Sequence, residues 1–347
     1  MKPVNTALCS FGISGWVFHA PFINADPHFK LYAVWERSKN LAQEKYPGVK
    51  TYRTLEEMLA DDAVELVIVN TPNYTHYGYI KKALLAGKDV IVEKPFTVTV
   101  KEAEELIELA KKKNKKLSVY QNRRYDSDYK TIKKVLAEKL LGDLVEAEFH
   151  FDRYSENLSP KVHKEVPGPG TGTLYDLGSH LIDQALQLFG MPDAVFADIR
   201  IIRPISKVDD YFDLVLYYPK LRVRIKSSYL VREPLPGYIL HGSKGSFIKP
   251  KTNIQEVMLQ KGNAPGKADW GIEPESERGL LHTEKNSLVI RKYIPSERGN
   301  YGDYYNDIYE AIRNNKPIPV TPEEGLNVIK IIEAAFKSDK SKHIVEL

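Results

Sequence analysis

Strand-like and helix-like segments alternate along the first 121 residues, and this alternation constrains the fold more than any other feature. Residues 64–70 form an almost continuous apolar run, which is typical of a parallel strand buried on both faces. Residues 76–86 have helical apolar spacing and end at Gly87, a common helix C-cap. Repeated β-α-β units imply a parallel sheet with right-handed crossovers. We therefore predict a doubly wound α/β Rossmann domain over residues 1–121.

The pattern changes after about residue 122. Short runs of alternating polarity, such as 194–203 and 211–218, are typical of strands in a sheet with one exposed face. A chain of 347 residues is also too long for one typical domain. We predict a second, α+β domain over residues 122–347, built on a large, open-faced and mostly antiparallel sheet. Residues 250–290 have weak periodicity and receive no assignment.

Composition excludes several classes of protein. The 50 Lys and Arg residues are nearly balanced by 46 Asp and Glu residues, so we expect no nucleic-acid partner bound through phosphate neutralisation. No apolar run approaches membrane-spanning length, and the N-terminus enters a strand pattern without a signal-peptide core. The single cysteine, Cys9, allows no internal disulfide. We expect a soluble, cytoplasmic protein with no membrane partner and no metal site.

Residues 10–15, Ser-Phe-Gly-Ile-Ser-Gly, lie between the first predicted strand, 4–11, and the first predicted helix, 16–25. They match the dinucleotide-binding fingerprint except that a serine replaces its first glycine. The second glycine lets the backbone approach a pyrophosphate, the third allows close helix–strand packing, and the helix N-terminus supplies amide hydrogens. The serine tolerates this tight turn only with a negative φ. The residues predicted to bind a dinucleotide are Ser10, Gly12, Ile13, Ser14 and Gly15.

An acidic residue lies at the expected distance beyond the fingerprint. Glu36 is 21 residues past Gly15, where a carboxylate accepts hydrogen bonds from the adenosine ribose and repels a 2′-phosphate. Arg37 follows and offers the opposite function, stacking on adenine or binding a 2′-phosphate. A solvated ion pair at the end of the strand is the structural alternative. We predict cofactor contacts from Glu36 and Arg37, with NAD favoured over NADP.

Four residues follow the apolar run at 64–70, namely Thr71, Pro72, Asn73 and His76. Polar side chains at this position are placed to line the nicotinamide side of a crevice at the carboxyl edge of the sheet. Turn and N-cap chemistry for the helix that begins near His76 explains the same residues equally well. Both interpretations remain open.

The run Val-Ile-Val-Glu-Lys-Pro at residues 90–95 ends a predicted strand on Glu93 and Lys94. A strand that ends on a lysine places an ammonium group at the edge where open α/β sheets bind ligands. Farther along, Asp176 and His180 are four residues apart, which places them on one face of a helix. Hydride transfer from an alcohol needs a proton acceptor and a group that stabilises the developing alkoxide. We predict that His180 accepts the hydroxyl proton and that Lys94 donates a hydrogen bond to the reacting oxygen. Asp176 is predicted to orient the substrate and stabilise the imidazolium. Glu93 and Lys94 are also assigned to the cofactor.

On these motifs the chain resembles the Gfo/Idh/MocA family of oxidoreductases over essentially its whole length. The matching segments are residues 12–15, 71–76, 93–95 and 121–124, and Asp176 with His180. The resemblance implies a Rossmann domain followed by an open-faced sheet domain, with catalysis by Lys94, Asp176 and His180. It also implies homodimers or homotetramers formed through that sheet. The chain is most similar to the branch that contains NADP-dependent scyllo-inositol dehydrogenases. It departs from that pattern at Ser10 and at Glu36, where an NADP-dependent relative has a small polar residue.

Several further residues are candidates for the crevice. Asn122 and Arg123 begin the second predicted domain and are predicted to contact the cofactor. Arg123 or Arg124 binds cofactor or substrate oxygens, unless it forms an interdomain salt bridge. Asp183, one turn beyond His180, is predicted to be a helix-packing partner. Weaker substrate-side candidates, each with a structural role as the alternative, are Tyr154, Lys161, His163 and Trp270.

The motifs favour an NAD(P)-dependent oxidoreductase that acts on a secondary alcohol or ketone of a sugar, an inositol or a related polyol. One alternative is a glycoside hydrolase that recycles NAD, and another is a non-catalytic NAD(P)-sensing regulator. A regulator has no need of a lysine, an aspartate and a histidine directed at one crevice. These three residues therefore favour an enzyme.

Overall fold

The computed structural model of the protein describes residues 2–161 and 164–347. The chain separates into two compact units, and neither is one continuous stretch. The first unit comprises Met1–Asn122, Ile254–Trp270 and Asn300–Leu326, and the second comprises Arg123–Asn253, Gly271–Gly299 and Asn327–Leu347. Two late segments of the chain thus pack with the first unit. The functional domains at residues 1–121 and 122–347 stay a prediction.

Strands and helices are numbered in chain order. The strands are β1 (Val4–Leu8), β2 (Phe29–Trp35), β3 (Lys50–Tyr52), β4 (Leu66–Val69), β5 (Asp89–Glu93), β6 (Leu117–Tyr120), β7 (Leu144–His150), β8 (Ala194–Arg200), β9 (Tyr211–Tyr217), β10 (Arg222–Ser228), β11 (Tyr238–Gly242), β12 (Gly245–Lys249), β13 (Gly279–Lys285), β14 (Leu288–Ile294) and β15 (Val345–Glu346). The α-helices are α1 (Ala20–Ala25), α2 (Leu41–Lys45), α3 (Leu55–Ala60), α4 (His76–Leu85), α5 (Val100–Lys113), α6 (Ser127–Ala137), α7 (Ser179–Phe189), α8 (Ile254–Gln260), α9 (Gly302–Arg313) and α10 (Pro322–Ser341).

The first unit is built on a six-stranded sheet with the order β3-β2-β1-β4-β5-β6. Each neighbouring pair in this sheet is parallel, as the β-α-β pattern predicts. Every residue of β4 is buried, because a strand covered on both faces must be apolar throughout. The predicted doubly wound Rossmann sheet is confirmed. The strand order reverses between β1 and β4, and ligands of such sheets bind at the carboxyl ends of strands at this switch point.

The segment after β1 departs from the predicted helix over 16–25. It contains a π-helical turn, Ser14–His19, followed by the short helix α1. Pro21 explains this interruption, because proline has no N–H for the i→i−4 ladder and its ring crowds the preceding turn. A π-helical turn, with its wider i→i+5 hydrogen bonds, accommodates this interruption of the α-helix. Such turns are frequent at functional sites.

The second unit is built on a nine-stranded sheet with the order β14-β13-β12-β11-β7-β10-β9-β8-β15. Its neighbouring strands pair antiparallel, except for the parallel pair β7 and β10. Residues of β9 alternate between buried and partly exposed, so one face of the sheet packs on the core. On that face the ring of Phe149 lies 6.3 Å from Phe189 of α7 and 5.2 Å from Tyr238 of β11. The predicted open-faced and mostly antiparallel sheet is confirmed.

Residues 250–290, which received no assignment from the sequence, contain α8 and β13. Trp270 is buried within the first unit, where its ring lies 5.9 Å from Phe22 and its Nε1 donates to Gln255 Oε1 at 3.1 Å. It therefore takes the structural role that was the alternative to a substrate contact. Over residues 2–161 and 164–347, no helix is long and apolar enough to cross a membrane.

Candidate active site

The fingerprint residues form a tight turn after β1 in the first unit. Ser10 Oγ accepts a hydrogen bond from the Gly12 N–H at 3.1 Å, and the Ser10 carbonyl accepts one from Asn70 Nδ2 at 2.8 Å. Ser10 does not adopt the left-handed backbone conformation, so serine fits the first fingerprint position without strain. Because Asn70 follows β4, its amide ties the ends of two neighbouring strands together at the carboxyl edge.

The two glycines of this turn serve different purposes. A Cβ atom at Gly15 would lie within 3.0 Å of the Ser10 carbonyl oxygen, closer than real Cβ contacts occur. Packing of the π-helical turn against the strand end therefore requires glycine at this position. A Cβ atom at Gly12 would meet only Ser10 Oγ, at an ordinary 3.4 Å. Packing does not require glycine there, and close approach of a ligand to the backbone is the explanation that remains.

Glu93, at the end of β5, joins three segments of the first unit. Its Oε1 accepts hydrogen bonds from Ser14 Oγ at 2.5 Å and from His19 Nε2 at 3.0 Å. His19 Nδ1 lies 2.7 Å from the Tyr305 hydroxyl. Burial alone would raise the pKa of Glu93, but His19, Ser14 and the nearby Lys94 charge outweigh it and lower the pKa to about 2. The glutamate therefore stays ionised and holds the fingerprint turn against the segment that carries Lys94.

His19 and Tyr305 were missed in the sequence. Their apolar neighbours mark only a helix, and the two residues are 286 positions apart in the chain. The one local signal was a histidine in the predicted helix that follows the dinucleotide fingerprint.

Lys94 is half-buried and follows Glu93 directly, and its peptide bond to Pro95 is cis. His76 supports this segment from α4. The fully buried imidazole places Nδ1 2.9 Å from the Pro95 carbonyl oxygen and Nε2 3.0 Å from the Thr71 carbonyl oxygen. Burial lowers the pKa of His76. The ring of His76 therefore braces two turns, and its direct contact with a cofactor stays a prediction.

Turn chemistry describes the residues between β4 and α4. The Thr75 N–H donates to the Pro72 carbonyl at 2.9 Å, and Thr71 Oγ1 lies 2.6 Å from Thr75 Oγ1. Asn73 begins the 3₁₀ turn that precedes α4. This arrangement leaves the predicted cofactor contacts of Thr71, Pro72 and Asn73 as predictions, and it gives each residue a structural role as well.

Two buried amide oxygens at the carboxyl edge of the first sheet have no hydrogen-bond donor among the residues that the structure describes. They are Asn70 Oδ1, after β4, and Gln121 Oε1, after β6. Such acceptors are rare because leaving one unsatisfied costs about 1–3 kcal/mol. A ligand with N–H donors, such as the carboxamide of a nicotinamide, would satisfy them. The chemistry of this edge therefore fits an NAD(P) cofactor.

Glu36 is only 7% exposed, so a solvated ion pair does not describe it. Its Oε1 and Oε2 accept the N–H groups of Leu41 and Ala42, each at 3.1 Å, and thereby cap α2. Each carboxylate oxygen has a second lone pair, so the side chain can still accept a bond from a ribose hydroxyl. Arg37, the next residue, is exposed.

Asp176 and His180 lie in consecutive turns of the second unit. Asp176 belongs to the π-helical turn Leu174–Gly178, and the buried His180 belongs to the first turn of α7. Asp176 Oδ2 accepts a hydrogen bond from Lys164 Nζ at 2.6 Å. Lys164 was missed in the sequence, because nothing in its neighbourhood has regular spacing.

Asp209 holds the start of the π-helical turn. Its Oδ2 accepts the Leu174 N–H at 2.8 Å, and its backbone oxygen accepts the Thr173 N–H at 2.8 Å. Gly172 adopts a φ of +98°, and a Cβ there would clash with the Asp209 carboxylate. Burial raises the pKa of Asp209 to about 6, although the backbone donors oppose the shift.

Arg123 and Arg124 form salt bridges inside the second unit. Arg124 makes a bidentate pair with Asp183, with Nε 2.8 Å from Oδ2 and NH2 2.6 Å from Oδ1. Arg123 NH1 lies 3.2 Å from Asp126 Oδ2 and donates to Asn253 Oδ1 at 3.0 Å. These bridges lie within one unit, and the predicted contacts of Arg123 and Arg124 with a cofactor or substrate stay predictions. Asp183 of α7 pairs with Arg124 of the 3₁₀ turn Asn122–Tyr125.

A pocket of about 390 Å³ lies in the second unit at the end of β7, and its lining includes Phe151, Leu235, Lys251 and Asn253. Arg123 contacts two of these residues, with its guanidinium 4.9 Å from the Phe151 ring and its NH1 3.0 Å from Asn253 Oδ1. The volume is in the range of small-molecule sites. Sequence reasoning missed this pocket because its walls come from four separate segments of the chain.

The structure describes three of the remaining candidates, Asn122, Tyr154 and Lys161. Asn122 is buried at the start of a 3₁₀ turn, and the Tyr154 hydroxyl donates to Glu156 Oε1 at 2.7 Å. Lys161 is partly exposed, and His163 lies outside the described residues. In the part of the chain that the structure describes, no group of three or more His, Cys, Asp or Glu is placed to hold a metal ion.

The chain matches one family of oxidoreductases along most of its length. Residues 4–121 match the family's NAD-binding Rossmann fold, and residues 133–347 match its C-terminal alpha/beta domain. The chain is 40% identical over 344 residues to the scyllo-inositol 2-dehydrogenase (NADP(+)) IolW of Bacillus subtilis, covering 99% of this chain and 96% of that protein. A crystal structure from Bacteroides fragilis is 48% identical, with a TM-score of 0.92 and 100% of both chains covered. The structure of YvaA from Bacillus subtilis is 39% identical, with a TM-score of 0.95, and covers 100% of this chain and 99% of that one.

Matched alanine substitutions test the different purposes proposed for Gly12, ligand approach, and Gly15, packing against the strand end. We expect Gly12→Ala to keep the wild-type free energy of unfolding but to weaken dinucleotide binding at least tenfold, because the added methyl group occupies the ligand's place. Gly15→Ala should lower the free energy of unfolding by about 2 kcal/mol or more, because its methyl group clashes with backbone. Urea denaturation and fluorescence titration with NADH and NADPH measure the two effects. Equal loss of stability in both variants would contradict this division.

The raised pKa of Asp209 predicts a specific pH dependence of stability. Between about pH 4 and the folded-state pKa of about 6, the folded protein keeps a proton that the unfolded chain releases. The carboxyl's contribution to stability therefore falls as pH rises through this window. Relative to Asp209→Asn, which retains an acceptor for the Leu174 N–H, the wild type should lose roughly 1–3 kcal/mol between pH 4 and 7. Urea titrations of both proteins across this range measure the difference, which should be flat if Asp209 titrates normally.

Proposed function

Because the chain belongs to the Gfo/Idh/MocA oxidoreductase family, we propose that it transfers a hydride between NAD(P) and a secondary alcohol or ketone of an inositol, a sugar or a related polyol. The observation that carries the proposal is the position of Lys94. It directly follows strand β5 at the ligand edge of the Rossmann sheet, beside a glutamate that holds the fingerprint turn. An ammonium group at that edge can reach a ligand held by the turn.

Three sets of residues are proposed to hold the cofactor. The fingerprint turn binds its phosphates, Glu36 and Arg37 contact its adenosine end, and the side-chain amides at the carboxyl edge of the sheet contact its nicotinamide end. The nicotinamide supplies the hydride acceptor. Gly12, Ile13, Ser14 and Gly15 offer backbone N–H groups to the phosphates. Asn122 and Arg123 are proposed for the nicotinamide end. Buried Asn70 and Gln121 join this set because their unsatisfied oxygens need donors.

Three side chains are proposed to perform the proton chemistry. During oxidation His180 accepts the hydroxyl proton as the carbinol hydrogen leaves with its electron pair as hydride, so a ketone remains. Imidazole is the only one of these three groups whose ordinary pKa, about 6.5, lies near neutrality. Asp176 orients the substrate and stabilises the imidazolium. Lys94 donates a hydrogen bond to the oxygen on which negative charge develops.

The polyol assignment is supported by the 40% identity to IolW, whose substrate is scyllo-inositol. Polyol rings present many hydroxyl groups, and the pocket beside Arg123 offers polar side chains around an aromatic ring. A cytoplasmic homodimer or homotetramer formed through the open face of the nine-stranded sheet completes the proposal. Alternate residues on that face are partly exposed, as in β9.

Steady-state assays with NAD and NADP across a panel of inositols and sugars test this function. We expect net cofactor reduction with at least one polyol, and Lys94→Ala should lower kcat/KM by roughly two to four orders of magnitude with little change in cofactor affinity. His180→Asn should abolish the acid limb of log(kcat/KM) for oxidation. A Lys94→Ala enzyme within threefold of wild type would remove Lys94 from the mechanism. Retention of the limb in the histidine variant would give the role of base to Lys94.

Glu36 is proposed to make the enzyme prefer NAD. Because both of its oxygens cap α2, Glu36→Ser removes the cap as well as the charge, whereas Glu36→Gln keeps an acceptor and removes only the charge. Both variants should shift the NADP/NAD ratio of kcat/KM toward NADP by about tenfold, which corresponds to about 1.4 kcal/mol of relieved repulsion. The glutamine variant should keep wild-type stability more closely. A wild-type enzyme that already prefers NADP would contradict the assignment.

A further inference from the structure

An ion pair joins Lys164 to Asp176 in the reactive segment of the second unit. Lys164 Nζ lies 2.6 Å from Asp176 Oδ2, and the side chains are 35% and 20% exposed. No periodic pattern or motif in the sequence marks Lys164. The contacts of the neighbouring residues show what holds Lys164 in this position.

Glu165, the residue after Lys164, anchors this stretch of chain. Its Oε1 accepts the Ser159 N–H at 2.7 Å, and its Oε2 lies 3.4 Å from Arg203 NH2. Arg203 is nearly inaccessible and donates from Nε to Asp210 Oδ2 at 2.8 Å and from NH1 to the Asn157 carbonyl at 2.6 Å. A buried charge network thus fixes the backbone beside Lys164.

The same loop anchors the other partner of the pair. Asp209 accepts the Leu174 N–H and holds the π-helical turn that carries Asp176, while Asp210 holds Arg203 and, through Glu165, the Lys164 backbone. Two consecutive aspartates therefore set the positions of both Asp176 and Lys164. A surface lysine that reached a carboxylate by chance would have no such support.

We propose that Lys164 is a positioning residue for the reaction, which holds the Asp176 carboxylate in its charged form and fixes its orientation. This inference rests on the proposed function, because Lys164 acts only through Asp176. With the carboxylate charged, Asp176 can stabilise the imidazolium that forms on His180. Without the ammonium group, the carboxylate takes up a proton at higher pH and turns more freely.

The expected effects on folding free energy and on reaction rate distinguish a positioning role from simple stabilisation of the fold. An ion pair as exposed as this one contributes about 0–1 kcal/mol to folding. The same coupling changes the proton affinity of the carboxylate by only about two- to fivefold, whereas misplacing a reacting group by about 1 Å can lower the rate about a hundredfold. Loss of Lys164 should therefore disturb the chemistry much more than the stability.

The test compares Lys164→Met with Lys164→Arg and with a matched control, Lys207→Met, which removes an exposed lysine of the same unit. In Lys164→Met, kcat/KM at pH 7 should fall about tenfold or more, and the acid limb of log(kcat/KM) should move up by about half a pH unit. Lys164→Arg should restore most of both, and the control should match wild type. Unfolding midpoints of all variants should agree closely. A wild-type rate and pH profile in Lys164→Met would overturn the proposal, as would equal losses in the arginine variant.

A second readout is independent of the substrate. In protein labelled with [¹³C]aspartate, and with the Asp176 signal assigned by its absence in Asp176→Asn, the titration midpoint of that signal should rise by about half a pH unit in Lys164→Met. It should not rise in Lys207→Met. An unchanged midpoint would overturn the proposal. A shifted midpoint in a protein that oxidises no polyol of the panel would refute the proposed function and with it the role in the reaction, and only the electrostatic effect of Lys164 on Asp176 would stand. If Lys164→Met fails to fold, Lys164→Gln replaces it in both measurements.

Discussion

The buried carboxylate of Glu93 is the interaction on which the ligand edge of the first unit depends. It accepts hydrogen bonds from Ser14 in the fingerprint turn and from His19 in the π-helical turn, and Lys94 is its neighbour in the chain. Removing the partner of a buried charge costs about 3–5 kcal/mol, so the ionised glutamate keeps its donors in place. One carboxylate thereby fixes the relative positions of the residues that approach a dinucleotide and the lysine proposed for catalysis.

In the second unit, the carboxylates of Asp209 and Asp210 similarly anchor separate segments of the chain. These aspartates are consecutive, yet their carboxylates bind different segments, the π-helical turn before α7 and the buried Arg203. In both units a π-helical turn precedes a short stretch of α-helix and carries residues assigned to function. Because such turns are wider than α-helical turns, they depend on side-chain anchors such as Glu93 and Asp209.

Local patterns predicted much of the fold. The apolar run at 64–70 predicted the fully buried β4, and the helical spacing of residues 76–86 before Gly87 predicted α4. The fingerprint turn and the Glu-Lys-Pro segment were also found in the sequence, because turn chemistry and strand ends are encoded by adjacent residues. The structural contacts of His76 could not be predicted in this way, since they depend on the Pro95 carbonyl, nineteen positions away.

The sequence by itself determined the type of each main element, the parallel and antiparallel character of the two sheets, and which residues have the chemistry for hydride transfer. Tertiary structure alone decided which side chains are partners. Tyr305 meets His19 across 286 positions, Asp183 meets Arg124 across 59, and Lys164 meets Asp176 from a segment without regular structure. Periodicity reports which face of an element is buried, but it carries no information about which distant element covers that face. Hydrogen bonds between such elements therefore appear only once the chain is packed.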